Sequence, residues 1–250
     1  MTSLQIGLIL PDVLGTYGDD GNALVLRGRA RMRGIAADIH PVKLGEAIPT
    51  GLDVYTLGGG EDTAQILAAE HLLADGGLRR AAEAGRPILA ICAGLQVLGE
   101  SFRADGRIVD GLGLIDATTT SLGKRAIGEV TSTPTGAGFT AALTQPLTGF
   151  ENHMGATILG SAATPLGVVK RGVGNSDHHG TEGLADASTQ RTAEGAVQGS
   201  VVATYMHGPV LARNPQLADL LLAQAMGIGL EELEPLDIPV VDQLRAERLG

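Results

Sequence analysis

The chain has 250 residues, 44% of them hydrophobic, with three Phe, three Tyr and no Trp, so a sizeable core has to be built from Leu, Ile, Val and Ala. Its 28 acidic residues against 18 basic ones leave a net charge of −10, which argues against nucleic-acid phosphates or an anionic membrane surface as the main partner. A single cysteine cannot form an internal disulfide, the N-terminus has no basic n-region, and no apolar run approaches the ~20 residues of a membrane helix; the expectation is a soluble cytoplasmic protein.

The run LQIGLIL (4–10) reads as a buried strand closed by Pro11. The Gly/Asp-rich loop GTYGDDGN follows, and Asn22 is the expected N-cap of a helix through ALVLRGRARMRG. AADIHPV and LDVYTLGGG are further strand candidates, the second ending on Gly58, Gly59 and Gly60. Residues 61–85 read as helical, with a break at Gly76-Gly77. RPILAI is a strand running into Cys92, and GLQVLGESF reads as a helix after it. Strands apolar on both faces, alternating with helices, predict a mostly parallel sheet covered on both sides. From about Gly111 the chain breaks into short strand-like pieces, expected to form hairpins and edge strands of the same domain. The polar stretch 172–195 reads as a surface loop, partly mobile, AVQGSVVATYMHG as a strand, and NPQLADLLLAQAMG as an amphipathic helix ending at Gly227. The expected division is one domain over 1–227 and a tail over 228–250.

Cys92 lies at a strand-to-helix junction, surrounded by Ala90, Ala93 and Gly94. A lone cysteine is ordinarily a small buried apolar residue. Small neighbours at such a junction favour a nucleophile elbow, where a strained backbone leaves no room for bulk. Gly58 to Gly60 follow another predicted parallel strand and let backbone N–H groups approach an oxyanion opposite the N–H of Ala93. An ordinary turn or a phosphate loop are the other readings, although neither a Walker Lys-Ser/Thr nor a GxGxxG pattern is present. Of the histidines, His40, His71, His178 and His179 read as surface residues. His207 is delivered by an apolar strand at its C-terminal end, where active sites of open parallel sheets gather, and could serve Cys92 as base.

In chain order, YGDDGN, TLGGGEDTAQ, ICAGLQVLG, GLGLID, KRAIGEV, GFENHMGAT and TYMHGPVLARNPQLADLLL resemble the cobyric-acid-synthase type of class I glutamine amidotransferase, over about residues 4–225. The resemblance implies a three-layer α/β fold, a mostly parallel central sheet with helices on both faces. It implies that Cys92 attacks the side-chain amide of L-glutamine and that His207 activates it and protonates the departing ammonia. Gln96 and Arg125 are implied to bind the substrate, and Gly59, Gly60 and Ala93 to form the oxyanion hole. An arginine fork suits an α-carboxylate, whereas by itself Arg125 reads as a solvated charge. His207 is followed by Gly208-Pro209, not by the x-Glu of many class I members, so the residue that orients it stays open. Glu151 of FENHMG reads as structural, and Ala90 stands where many relatives have glycine.

The same resemblance implies a separate glutaminase subunit that feeds ammonia to a Mur-ligase-like synthetase subunit in a heterodimer, for amidation of D-glutamate in the peptidoglycan stem peptide to D-isoglutamine. This chain is then expected to hold no metal or cofactor, ATP and Mg²⁺ belonging to the partner, and its tail is a candidate partner contact. A glutaminase subunit for another amide ligase, such as a cobyrinate-type one, a cysteine-elbow peptidase and a non-catalytic module of the same fold are the competing readings.

Overall fold

The computed structural model describes residues 3–249. The first half alternates strand and helix: β1 (Leu4–Ile9), α1 (Gly21–Met32), β2 (Ala37–Val42), β3 (Val54–Leu57), α2 (Asp62–Asp75), α3 (Gly77–Glu83), β4 (Ile88–Ile91) and α4 (Ala93–Leu98). The second half begins with β5 (Ser101–Ala104), β6 (Arg107–Asp110), β7 (Ala117–Pro134), β8 (Leu147–Leu159) and β9 (Gly167–Arg171). It continues through α5 (Ala187–Arg191), β10 (Ala193–Glu194), β11 (Ala196–Gln198), β12 (Val201–Thr204), α6 (Val210–Arg213), α7 (Pro215–Met226) and α8 (Pro239–Leu249).

The central sheet has the order β11-β12-β4-β3-β1-β2, parallel throughout except for the edge strand β11. β3, β4 and β12 are buried at every position, which is why their sequences are apolar without alternation. The chain steps from β1 to β2 in one direction and from β3 to β4 in the other, so right-handed crossovers send α1 and the α2–α3 pair to opposite faces. α7 packs on α1, and α4 packs on α2. A second sheet, β10-β9-β7-β5-β6 with β8 antiparallel on β7, is built mainly from hairpins. One hydrophobic cluster runs from Leu4 to Leu233 and includes Phe102, Val130 and Leu147 of the second sheet, so the two halves share a core.

Four local expectations are corrected. Asn22 lies inside α1; its side chain donates to Asp19 O (3.0 Å) and accepts from Leu211 N–H (3.0 Å), tying the helix start to α6. α4 stops at Leu98 because Gly99 turns to an extended backbone and Ser101–Phe102 pair with Thr118–Thr119 of β7. The stretch 172–195 is not loop alone: it contains α5 and β10, and its two ends are tied, Glu151 accepting the N–H groups of Val173 (2.7 Å) and Gly174 (2.8 Å) and the buried Asn175 side chain bracketing Gly195 from both sides. AVQGSVVATYMHG is a hairpin, β11 to β12, turned by Gly199 at φ 57°.

Candidate active site

The loops after β1, β3, β4 and β12 meet at the C-terminal ends of four adjacent parallel strands, the position where open α/β sheets form their crevice. They contribute Asp19, Gly58 to Gly60, Cys92 and His207, respectively. Cys92 has φ 54° and ψ −106°, a conformation an L residue adopts only when its surroundings impose it. They do so here: its N–H donates to Thr204 O (2.8 Å), and its C=O accepts from Gln96 N–H (3.3 Å). A side chain at Gly58 would collide with Leu14 O, and one at Gly59 would come within 3.3 Å of Cys92 Cβ and 3.2 Å of His207 Cε1. Gly58 is therefore required by the close approach of the loop after β1, and Gly59 sits tightly between the loops that carry Cys92 and His207.

His207 is buried, and its Nδ1–H donates to both carboxylate oxygens of Asp19 at 3.0 Å. Asp19 is the orienting partner that the sequence left open; Glu151 serves the loop at 173–174 instead. Burial by itself disfavours the imidazolium, but the Asp19 hydrogen bond, the adjacent Cys92 sulfur and the Asp19 charge outweigh it and hold the group up at about 10. His207 Nε2 is buried without a full hydrogen bond, although Cys92 is close enough to act on the ring. Such loose contacts are common before substrate binds. The Tyr17 ring meets the imidazole edge-on at 5.0 Å, and its own φ of 62° is strained for an aromatic residue.

Cys92 opens into a cavity of about 270 Å³ whose lining includes Gly60, Ala93, Gln96, Arg103 and Arg125. Arg125 is exposed, lies where the β7–β8 register shifts between Ser121 and Ala126, and is steadied by Asn152 Oδ1 at 3.1 Å. An irregularity of this kind re-aims a side chain, here toward the cavity. Gln96 lines the wall, but its Oε1 accepts from Gln65 (2.6 Å) and its Nε2 donates to Tyr205 OH (3.1 Å), so most of its bonding capacity is used within the protein. The Gly59 N–H donates to Asp19 Oδ2 at 3.0 Å and is not free for an oxyanion. Of the three expected oxyanion donors, Gly60 and Ala93 line the cavity. Among the described residues no group of three or more His, Cys, Asp or Glu could hold a metal ion.

Three contributors escaped the sequence reading: Asp19, Arg103 and Asn152. The paired Asp of GDDGN, in the loop after the first strand, was the one available signal for Asp19. The GFENHMG motif has a structural explanation. His153 stacks on Tyr205 at 3.7 Å, and Gly155 leaves room for two side chains, since a Cβ there would lie 2.3 Å from Gln96 Nε2 and 2.4 Å from Tyr205 OH.

Residues 5–215 match the CobB/CobQ-like glutamine amidotransferase domain, and the chain belongs to that family. It is similar to the lipid II isoglutaminyl synthase (glutamine-hydrolyzing) subunit GatD of Staphylococcus aureus (strain N315), 32% identical across 100% of this chain and 95% of the relative. The GatD subunit of Streptococcus pneumoniae (strain ATCC BAA-255 / R6) is 30% identical over 89% of this chain and 80% of its own length. Among solved structures, the glutaminase domain of Trypanosoma brucei CTPS with bound acivicin superposes with a TM-score of 0.55 at 12% identity, covering 91% of this chain and 95% of that one. The fold is that of the class I glutamine amidotransferases.

Proposed function

We propose that this chain is the glutaminase subunit of a lipid II isoglutaminyl synthase. The observation that carries the reading is the line Asp19–His207–Cys92, whose cysteine opens into a small cavity also lined by Arg125. Arg125, with Arg103 in the same cavity lining, suits the α-carboxylate of free L-glutamine, and the side-chain amide is directed to Cys92. The thiol proton of Cys92 passes first to His207 Nε2, where Asp19 stabilises the imidazolium, and the sulfur then attacks the amide carbon. The developing oxyanion is held by the N–H groups of Gly60 and Ala93. The C–N bond then breaks, ammonia leaving with a proton from His207, and water hydrolyses the γ-glutamyl thioester to glutamate, restoring the thiol. Asp19 keeps the proton on Nδ1 and compensates the imidazolium, so Nε2 faces the reaction.

Two names support the acceptor: the GatD relatives are subunits of an enzyme that acts on lipid II. The ammonia is used by a Mur-ligase-like, MurT-type partner that binds ATP and Mg²⁺ and amidates D-glutamate of the stem peptide to D-isoglutamine, in a cytoplasmic heterodimer. No helix among the described residues is long and apolar enough to cross a membrane. The tail contributes to docking: α8 exposes Val240 (60%) and Leu244 (48%) one turn apart, while Arg245 on its other side bonds Arg213 O, Asn214 Oδ1 and Pro146 O. The family description also keeps a cobyrinate-type acceptor in view, and the two separate by which synthetase subunit co-purifies with the chain.

The site itself is tested by covalent labelling with a chloroketone analogue of glutamine. Modification is expected at Cys92 alone, with protection by L-glutamine that weakens about tenfold or more in Arg125→Ala, since a carboxylate–guanidinium pair contributes on the order of 1.5–3 kcal/mol. Labelling elsewhere, or no protection by glutamine, contradicts the assignment.

A further inference from the structure

Glu194 is a fully buried carboxyl at the end of β10, and the proposed chemistry makes no direct use of it. It stands where the second sheet touches the central one. The next residue, Gly195, has φ 63°, and a Cβ there would lie 2.3 Å from Ala203 O on β12. Glu194 Oε1 accepts the Thr204 hydroxyl at 2.5 Å and the Tyr205 N–H at 3.1 Å. Thr204 Oγ1 in turn accepts the Met206 N–H at 3.0 Å, and Thr204 O accepts the Cys92 N–H at 2.8 Å. The segment then reaches His207, whose N–H and C=O pair with Phe150 of β8 at 2.9 and 3.1 Å. One carboxyl oxygen thus satisfies the backbone just where the chain leaves β12 and before it joins β8, and the same threonine carries the amide of Cys92.

We propose that Glu194 is the positioning residue of this site: by fixing residues 204–206 through Oε1 it sets the distance between His207 and Cys92. The inference rests on the glutaminase reading for its kinetic consequences but not for its geometry. Burial, partly offset by the Thr204 and Tyr205 bonds and reinforced by the charge of Glu151 on β8, pushes this carboxyl up to about 7. Its other oxygen, Oε2, has no hydrogen-bond partner among the described residues. The acceptor at Oε1 is therefore the part that matters, and an amide supplies the same acceptor. Tyr205 and Thr204 at the end of β12, with Glu151 on β8, are the groups that act on this carboxyl.

The test compares Glu194→Gln, Glu194→Ala and Thr204→Val in the full chain with its synthetase partner. A displacement near 1 Å at reacting groups can cost about a hundredfold, so Glu194→Ala and Thr204→Val are expected to lose tenfold or more in kcat, with KM for glutamine within about twofold. Glu194→Gln is expected to restore kcat to within about threefold of the wild type. The His207 titration, followed by histidine ring NMR without substrate, should stay near 10 in the wild type and Glu194→Gln and fall in Glu194→Ala and Thr204→Val as the ring drifts from Asp19. Thr204→Val, nearly isosteric, carries the test if Glu194→Ala does not fold. An unmoved His207 titration in folded Thr204→Val, or a Gln variant as damaged as the Ala variant, overturns the proposal. Wild type that turns over no glutamine, with the NMR shifts intact, overturns the glutaminase reading and leaves the positioning role standing.

Discussion

At the residue scale the site depends on one carboxylate doing two things. Asp19 accepts from His207 Nδ1 and, through Oδ2, from the Gly59 N–H, so it sets the imidazole tautomer and anchors the glycine loop together. Asp19→Asn removes the strongest influence that raises His207. The imidazolium is needed to protonate departing ammonia and is lost as pH rises through its pKa; the alkaline limb of kcat, near 10 in the wild type, is therefore expected to move to lower pH. At pH 7 kcat should fall on the order of 10²-fold or more, a general-acid contribution of the usual size, with KM little changed. A kcat–pH profile of both proteins checks this. Gly59→Ala tests the neighbouring contact: its methyl would press on His207 Cε1 and Cys92 Cβ, and glutamine turnover is expected to fall at least tenfold while the protein stays folded. Cys92 and His207 were legible because each follows an apolar strand and carries its own chemistry. Asp19 was not, since it meets His207 across 188 residues and the sequence habit of this enzyme class points to the position two after the histidine.

At the scale of elements, legibility followed burial. β1, β3, β4 and β12 are apolar on both faces and announced themselves, whereas the second sheet is exposed along β6 and much of β7 and offers no such signal. The boundary of α4 and the tied ends of the stretch 172–195 depend on distant partners, β7 for one and Glu151 and Asn175 for the other, which no local pattern encodes. Glycines divide by the same logic. Gly155→Ala drives a methyl into Gln96 and Tyr205 and is expected to cost about 1–3 kcal/mol, the usual scale of overpacking. Gly28→Ala, inside α1 with open space around it, is expected to stabilise by up to about 1 kcal/mol. Urea denaturation of the two variants, read as shifts of midpoint in opposite directions, checks the pair.

At the scale of the whole molecule, Glu194 and His207 are among the buried groups that bind protons more tightly folded than unfolded. Each contributes stability that is complete below its unfolded value and is lost as pH rises through its folded one: from 4.5 to about 7 for Glu194 and from 6.5 to about 10 for His207. The thermal midpoint of the wild type should therefore fall with rising pH relative to Glu194→Gln across the lower window, and relative to Asp19→Asn across the upper one. Differential scanning calorimetry at matched ionic strength measures both differences. For assembly, introducing charge on the outer face of α8 with Val240→Asp and Leu244→Asp, while leaving the Arg245 anchor intact, is expected to weaken capture of the synthetase subunit without unfolding the chain. Unchanged capture removes α8 from the interface.

The central claim is tested most directly by glutamate release from L-glutamine, measured with this chain alone, with a Mur-ligase-like partner, and with Cys92→Ala in each setting. Release that the partner stimulates and that disappears with Cys92→Ala is the predicted result. No release in any combination, from protein verified as folded and complexed, would contradict the account and leave the strained cysteine as inherited architecture in a binding module.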